Sequence, residues 1–373
     1  MSGITPFAVR YPEPNDGGNP RYLVFVRVQA DDGTVGWGEA ITQFPGATRA
    51  TVALLDDIEP LVIGTDPIEN IATWRAIKRA TWWYGYRGGP AAFALSAIDI
   101  ALWDLKGKLL GQPLINLIGG AHREQVPALA STHAFNASIE YEAERHGRYV
   151  RDEGYIGVKV GMGKRGDAHL GYELDRDVEF VGLLREAVGP EALIMMDRGQ
   201  SLAWDLGDAI SRTRAFERYD LKWIEEPLEP ADVEGFRKLR QHVTTLIAGG
   251  EREWDVRGFK EVIDSGGIDV VGCDIGRAEG ITGALAVIGL VEQAEIWFNS
   301  HAWSSAVNTA ASIALSASTP RCMLQELKPD EGPMQHELVD TPFAQTGGLI
   351  AVPRTPGLGV EPSESVLAKY AWS

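Results

Sequence analysis

From residue 192 onward, short apolar runs end one after another on an acid or a histidine. Ala192–Asp197, Leu221–Glu225, Thr245–Glu251, Val270–Asp274, Ile296–His301 and Cys322–Glu326 repeat this form, with their last residues 28, 26, 23, 27 and 25 positions apart. That interval fits one buried strand, a loop, one helix and a return. Apolar positions at helical spacing fall between the runs: Leu206, Ile210, Thr213 and Phe216, then Val233, Phe236 and Leu239, then Val256, Phe259 and Val262. Two further strands, Gln125–Ala130 and Tyr155–Val160, bring the count to eight. The pattern predicts an α/β fold built on a closed (β/α)8 barrel, whose chemistry gathers at the C-terminal ends of the strands.

The first third of the chain has another texture. Arg21–Ala30, the turn Asp31–Gly33 and Thr34–Ala40 read as a hairpin. The Pro- and Gly-rich stretch 11–20 before it reads as a mobile loop. Leu95, Ile98, Leu102, Leu105 and Leu109 predict a core helix over 91–109, stopped by Gly111 and Pro113. Aromatics crowd the Gly-flanked segment Trp82–Gly89, which fits either packing or a lid over a ligand.

Composition narrows the partners. The chain has 373 residues and a formal net charge of −17, which argues against a nucleic-acid or anionic-membrane surface. No segment approaches a membrane span, and Met1–Pro6 lacks a signal-peptide pattern, so a cytoplasmic location is expected. Cys273 and Cys322 fall in core strands without metal-ligand spacing and read as reduced thiols.

Asp197, Glu225 and Glu251 at neighbouring strand ends would repel one another unless a cation neutralised them. Oxygen donors alone favour a hard ion, Mg2+ with Mn2+ as a substitute, over Zn2+. Asp274 and His301 fall side by side, and a carboxylate beside an imidazole suits a general acid/base. Lys159, inside an apolar run, needs an anionic partner. Glu326 fits a donor to an oxyanion if protonated, or a group that orients water.

The ordered set Lys159, Asp197, Glu225, Glu251, Asp274, His301 and Glu326 resembles the enolase superfamily, and within it the mandelate racemase subgroup. Asp32–Glu39, Ala97–Lys108, Trp223–Pro227 and Asn299–Ala302 carry the same resemblance. It implies an N-terminal α+β capping domain over 1–120, the barrel over 121–328 and a C-terminal segment, 329–373, returning to the capping domain. It further implies Mg2+ on Asp197, Glu225 and Glu251, the Asp274–His301 dyad as base or acid, and closure of the site by the segments 11–20 and 82–89. A symmetric homo-oligomer, an octamer or a dimer, is implied as well. The chemistry implied is removal of a proton alpha to a carboxylate, with the enolate stabilised by Mg2+, Lys159 and Glu326.

One departure discriminates among reactions. The subgroup often carries Lys-x-Lys on the second strand, whereas here Lys159 is followed by Val160 and Gly161. Racemisation then lacks its second base unless Lys164 or another group reaches in. Gly199 likewise offers no base on the third strand. Dehydration of an acid sugar can proceed with His301 alone, and this is the expected activity. The alternatives are a cycloisomerase of a sugar lactone or anhydro acid, with His133 as an extra acid, an epimerase, and a catalytically inert binding protein. Trp82, Tyr84, Arg87, Arg198, Arg252 and Trp303 are expected to shape substrate choice.

Overall fold

The computed structural model describes residues 1–85, 87–163 and 168–373. The chain opens with an antiparallel three-stranded sheet of β1 (Gly3–Glu13), β2 (Asn19–Gln29) and β3 (Val35–Ala40). The stretch 11–20, expected as a mobile loop, is largely the strand ends and turn joining β1 to β2. Pro12 pairs with Pro20 in register, and Asn15 and Asp16 are buried in the short 3-10 turn Pro14–Asp16. Prolines at a sheet end are compatible with a ladder that is closing into a turn, which periodicity alone does not reveal.

Three helices follow: α1 (Pro45–Val62), α2 (Asn70–Ala80) and α3 (Pro90–Leu110). The last is the helix expected over 91–109, and it is buried on nearly every side rather than along one stripe. Gly36 and Gly38 explain how it packs so closely on β3. A Cβ at Gly38 would stand 1.9 Å from the carbonyl oxygen of Ala97, and one at Gly36 would stand 2.2 Å from that of Ala101. The aspartate of the same helix motif, Asp104, accepts a 2.9 Å hydrogen bond from the Trp37 backbone N–H. Both N-terminal motifs are thus two sides of one contact.

The barrel comprises β4 (Gln125–His133), β5 (Gly157–Met162), β6 (Leu193–Arg198), β7 (Leu221–Glu225), β8 (Leu246–Gly249), β9 (Val270–Asp274), β10 (Trp297–His301) and β11 (Gln325–Leu327). These eight strands are parallel neighbours in that order, β11 pairs with β4, and a Phe298–Cys322 bridge draws the last gap together. The predicted barrel is therefore present. Its intervening helices start at side-chain caps placed by the sequence: Ser138, Asp205, Asp232 and Asp255 each accept an N–H from the first turn. A final strand, β12 (Leu349–Ala351), pairs antiparallel with β4, and near the C-terminus Ala371 bridges Val9 on β1.

The interior is layered, as barrel geometry requires. Leu129, Met195, Trp223, Ala248, Val270 and Leu324 form a separate buried cluster contributed by different strands. Above it, Lys159 begins the polar layer. Among the described residues no helix is long and apolar enough to cross a membrane.

Candidate active site

Strand register sets the mouth of the barrel. His133, Gly161, Asp197 and Glu225 are consecutive register partners on β4, β5, β6 and β7, and His301 is the partner of Asp274 across β10 and β9. Glu251 lies two residues beyond the end of β8, so it reaches the site from the loop rather than from the strand.

The lowest polar layer is a buried ion cluster. Lys159 Nζ donates to both oxygens of Glu225, at 3.0 and 2.9 Å, and to Glu326 at 2.9 Å. One ammonium thus faces two carboxylates in a region closed to water. Burial opposes the charge on Lys159, but Glu225, Glu326, Asp197 and Glu251 outweigh it and hold the ammonium well above its usual pKa. The leftover negative charge shows on Glu225. Burial is the main cause that lifts it to about 8, against the pull of Lys159 and with added repulsion from Asp197, Glu326 and Glu251.

Glu326 behaves differently. Burial pushes its pKa up, but Lys159, His301 and a hydrogen bond from Asn299 bring it below the ordinary value. It accepts from Asn299 Nδ2 at 2.6 Å and from Ser131 Oγ at 2.9 Å. An ionised Glu326 with these donors is a counterion for Lys159, and the option of a protonated Glu326 donating to an oxyanion does not fit this environment.

The Asp274–His301 pair is closed by a 2.6 Å contact between Asp274 Oδ2 and His301 Nδ1. The other carboxylate oxygen accepts from the Gly276 N–H at 2.8 Å and from Asn308 Nδ2 at 3.1 Å. Held on both sides, Asp274 fixes the imidazole orientation and leaves Nε2 for chemistry. Nε2 stands 3.3 Å from Glu251 Oε2. Burial would lower the His301 pKa, but the Asp274 hydrogen bond and the charges of Glu251, Asp274 and Glu326 carry it to about 10.

The N-terminal part of the chain completes this region. Glu39, at the end of β3, is fully buried, accepts from Ser305 Oγ and stands beside the backbone of Asn308. Burial is the principal cause of its raised pKa. Asp16 and Arg21 bring a second ion pair, 2.9 Å apart, to the mouth. A cavity of about 550 Å3 lies between the two parts, with Asp16, Arg21, Asp197, Glu251, Asp274 and His301 on its walls.

Arg198 and Arg252 also line the cavity, as does Arg277. Arg252 pairs with the buried Glu226 at 2.7 Å, and Arg198 with Glu229 at the same distance. Trp303 stacks against the His133 ring at 4.3 Å. The described lining does not include Trp82, Tyr84, Arg87 or Trp303. The first two are about half exposed, and Arg87 pairs with Glu261 at 3.1 Å. Tyr86 of the aromatic segment and Lys164 lie outside the described residues. Gly199 has no space for a base, since a Cβ there would stand 2.4 Å from the Met162 carbonyl oxygen.

Sequence reasoning missed Asp16, Arg21, Glu39, Glu226 and Arg277. Glu226 offered a faint signal as the neighbour of Glu225. Its φ of 40° turns the chain at the strand end, while its N–H still donates to Ala248 at 2.9 Å. Burial, Glu251 and then the opposing Arg252 set its pKa well above the ordinary value.

Asp197, Glu225 and Glu251 supply the right donors for a hard divalent ion. Among the described residues, no three acidic, histidine or cysteine groups are gathered closely enough to enclose a metal as they stand. Lys159 engages Glu225, and His301 stands against Glu251. The donor chemistry nevertheless fits: one ammonium, Lys159, is shared between the buried carboxylates of Glu225 and Glu326, and the surplus negative charge is of the kind a divalent cation relieves.

Comparison with known proteins agrees with this architecture. The mandelate racemase/muconate lactonizing enzyme N-terminal domain family matches residues 18–119, and the enolase C-terminal domain-like family matches 142–366. A D-galactarolactone cycloisomerase from Agrobacterium fabrum is 27% identical over 94% of this chain and 91% of its own length. A D-gluconate dehydratase from Thermoproteus tenax is 31% identical over 97% of this chain and 72% of its own length. A racemase structure from Streptomyces coelicolor with bound magnesium superposes with a TM-score of 0.85 at 26% identity, covering 100% of this chain and 99% of the other. The chain belongs to the enolase superfamily, in its mandelate racemase subgroup.

Proposed function

We propose that this enzyme is an acid-sugar dehydratase that removes a proton alpha to a carboxylate and expels the beta-hydroxyl as water. The observation that carries this reading is the Asp274–His301 pair, 2.6 Å apart, on the wall of a cavity that Asp197 and Glu251 also line. The relative named D-gluconate dehydratase supports the substrate class. Arg21, Arg198, Arg252 and Arg277 on the cavity walls suit an anionic, hydroxylated ligand.

Asp197, Glu225 and Glu251 would hold Mg2+, replaceable by Mn2+, which supplies electrostatic stabilisation for the enolate charge. His301 accepts the alpha proton on Nε2 while Asp274 retains the Nδ1 proton in place. Lys159, kept charged by Glu225 and Glu326, offers a fixed positive charge to the developing oxyanion. The His301 imidazolium then returns its proton to the departing beta-hydroxyl in a syn elimination. The enol that remains tautomerises to a 2-keto-3-deoxy acid.

The site would be shared between a capping unit over 1–120 and a barrel unit over 121–328, with 329–373 returning to the former. The enzyme would act as a cytoplasmic homo-oligomer on a small acid sugar. A second reading, cycloisomerisation of a sugar lactone or anhydro acid through the same enolate, is favoured by a second imidazole at the mouth, His133, and by the Agrobacterium relative's name.

Proton NMR of the purified protein with Mg2+ in D2O, against mono- and di-acid sugars and their lactones, tests both. Loss of an alpha-proton signal with a new 3-deoxy methylene supports dehydration. Interconversion of a lactone or anhydro acid with its isomer supports the second reading. Deuterium uptake at the alpha carbon with no carbon–oxygen bond broken, or no reaction with any compound, overturns both.

A further inference from the structure

Gly161 supplies no acid or base, but its side of the barrel mouth is filled. Residues 159 and 161 face the same way on β5, and Lys159 faces the interior, so a Cβ at Gly161 would also point inward. That Cβ would stand 2.4 Å from Cδ2 and 3.2 Å from Nε2 of His133. The Cδ2–Nε2 edge of an imidazole therefore occupies the interior space above Lys159.

The ring is held by two contacts, and the strand that carries it by two more. Asp16 Oδ1 contacts Nδ1 at 2.8 Å, Trp303 stacks on the face at 4.3 Å, Arg145 Nη2 donates to the His133 carbonyl, and Thr132 Oγ1 donates to Asn15 O at 3.0 Å. Asp16 is itself held by Arg21. The site thus contains two imidazole–carboxylate pairs, one wholly on barrel strands and one joining β4 to the β1–β2 turn. Asp16 and His301 both line the same cavity, and the side chains of His133 and His301 are 7% and 14% exposed.

We infer that His133, oriented by Asp16, is a second proton-transfer residue of this site and protonates the oxygen that leaves the beta carbon. This rests on the enolate chemistry proposed above, and gives to His133 the second of the two transfers assigned there to His301. Balanced, the step begins with a neutral His301 and an imidazolium at His133, paired with the Asp16 carboxylate. His301 Nε2 takes the alpha proton, and the C–H electron pair becomes the enolate. The enolate electrons form the new C–C double bond while the beta C–O pair leaves on oxygen. That oxygen takes the Nε2 proton of His133, and water departs. His301 then gives up one proton to solvent and His133 regains one. For a lactone or anhydro acid the same proton would go to the departing ring oxygen.

The experiment uses the full-length protein with Mg2+ in D2O and compares wild type, His133→Gln, Gly161→Ala and His301→Asn. It follows alpha-proton exchange and product formation separately, first on the best natural acid sugar and then on its analogue with fluoride in place of the beta-hydroxyl. Fluoride leaves without a proton. Product formation from the natural substrate is expected to fall about 100-fold or more in His133→Gln while alpha exchange persists. Gly161→Ala should show the same split with every ionisable group retained, because its methyl displaces the ring. The fluoro analogue should restore His133→Gln to within a few fold of wild type, but not His301→Asn. Wild-type turnover in His133→Gln, or equal loss of exchange, product and fluoro-analogue turnover in a folded His133→Gln, would overturn the assignment alone. A wild-type protein inert toward every acid would overturn the proposed function and the assignment together.

Discussion

His301 Nε2 stands 3.3 Å from Glu251 Oε2, so the nitrogen assigned to the alpha proton faces a residue assigned to the metal. Without a cation, the surrounding carboxylates hold the imidazole pKa at about 10 despite burial, which keeps the base protonated at neutral pH. Neutralising Glu251 should lower that value into a range where a neutral imidazole is populated. A 15N NMR titration of the His301 ring is expected to show imidazolium up to pH 9 in the metal-free protein and a titration moved to lower pH with Mg2+. An unchanged titration would separate Glu251 from the ion.

Lys159 pairs with both Glu225 and Glu326, and its removal leaves the two buried acids without that cation. Lys159→Met should destabilise the fold by about 3–5 kcal/mol. It should also abolish alpha-proton exchange. The combined change Lys159→Met with Glu326→Gln should regain part of the stability in chemical denaturation, but none of the exchange.

Asp99 gives a pH signature unrelated to catalysis. Its carboxylate, buried in α3, accepts the Thr282 N–H at 2.8 Å and the Thr282 hydroxyl at 2.6 Å, yet burial dominates and lifts its pKa from 3.8 to about 7. The folded state therefore holds this proton more tightly than the unfolded chain does. Its contribution to stability is fully present below about pH 4 and is lost as pH rises toward 7, by up to about 4 kcal/mol. Asp99→Asn should flatten that part of the stability profile, measured by urea denaturation from pH 4 to 8. Parallel wild-type and variant profiles would show that Asp99 is not the group responsible.

Gly38 is required by contact rather than by φ. An added methyl 1.9 Å from the Ala97 carbonyl must push α3 away from β3, and Gly38→Ala should cost about 1–3 kcal/mol of stability. Because Glu39 follows on the same strand, kcat should fall as well. A thermal melt superimposable on wild type would contradict the close packing.

The repeating strand ends made much of this legible from sequence. Asp274 and His301 end β9 and β10 as read, and Lys159 faces inward as an isolated lysine in an apolar run must when it finds anions. Other features depended on geometry that spacing does not contain. β8 stops at Gly249, so Glu251 belongs to a loop, and β4 continues to His133 because its register with β5 extends to Gly161. Asp16 meets His133 from 117 residues away, in a turn whose prolines and glycines conceal the flanking ladder. The glycine that appeared to leave a gap at 161 is instead what admits the imidazole.

The most direct measurement is alpha-proton exchange by NMR in D2O with Mg2+, using wild type and His301→Asn on the acid sugar that wild type converts. The account predicts exchange and a 3-deoxy product with wild type, and loss of both in a His301→Asn protein that still binds the ion. Exchange at a wild-type rate in His301→Asn would contradict the assignment of the base and, with it, the mechanism built on the Asp274–His301 pair.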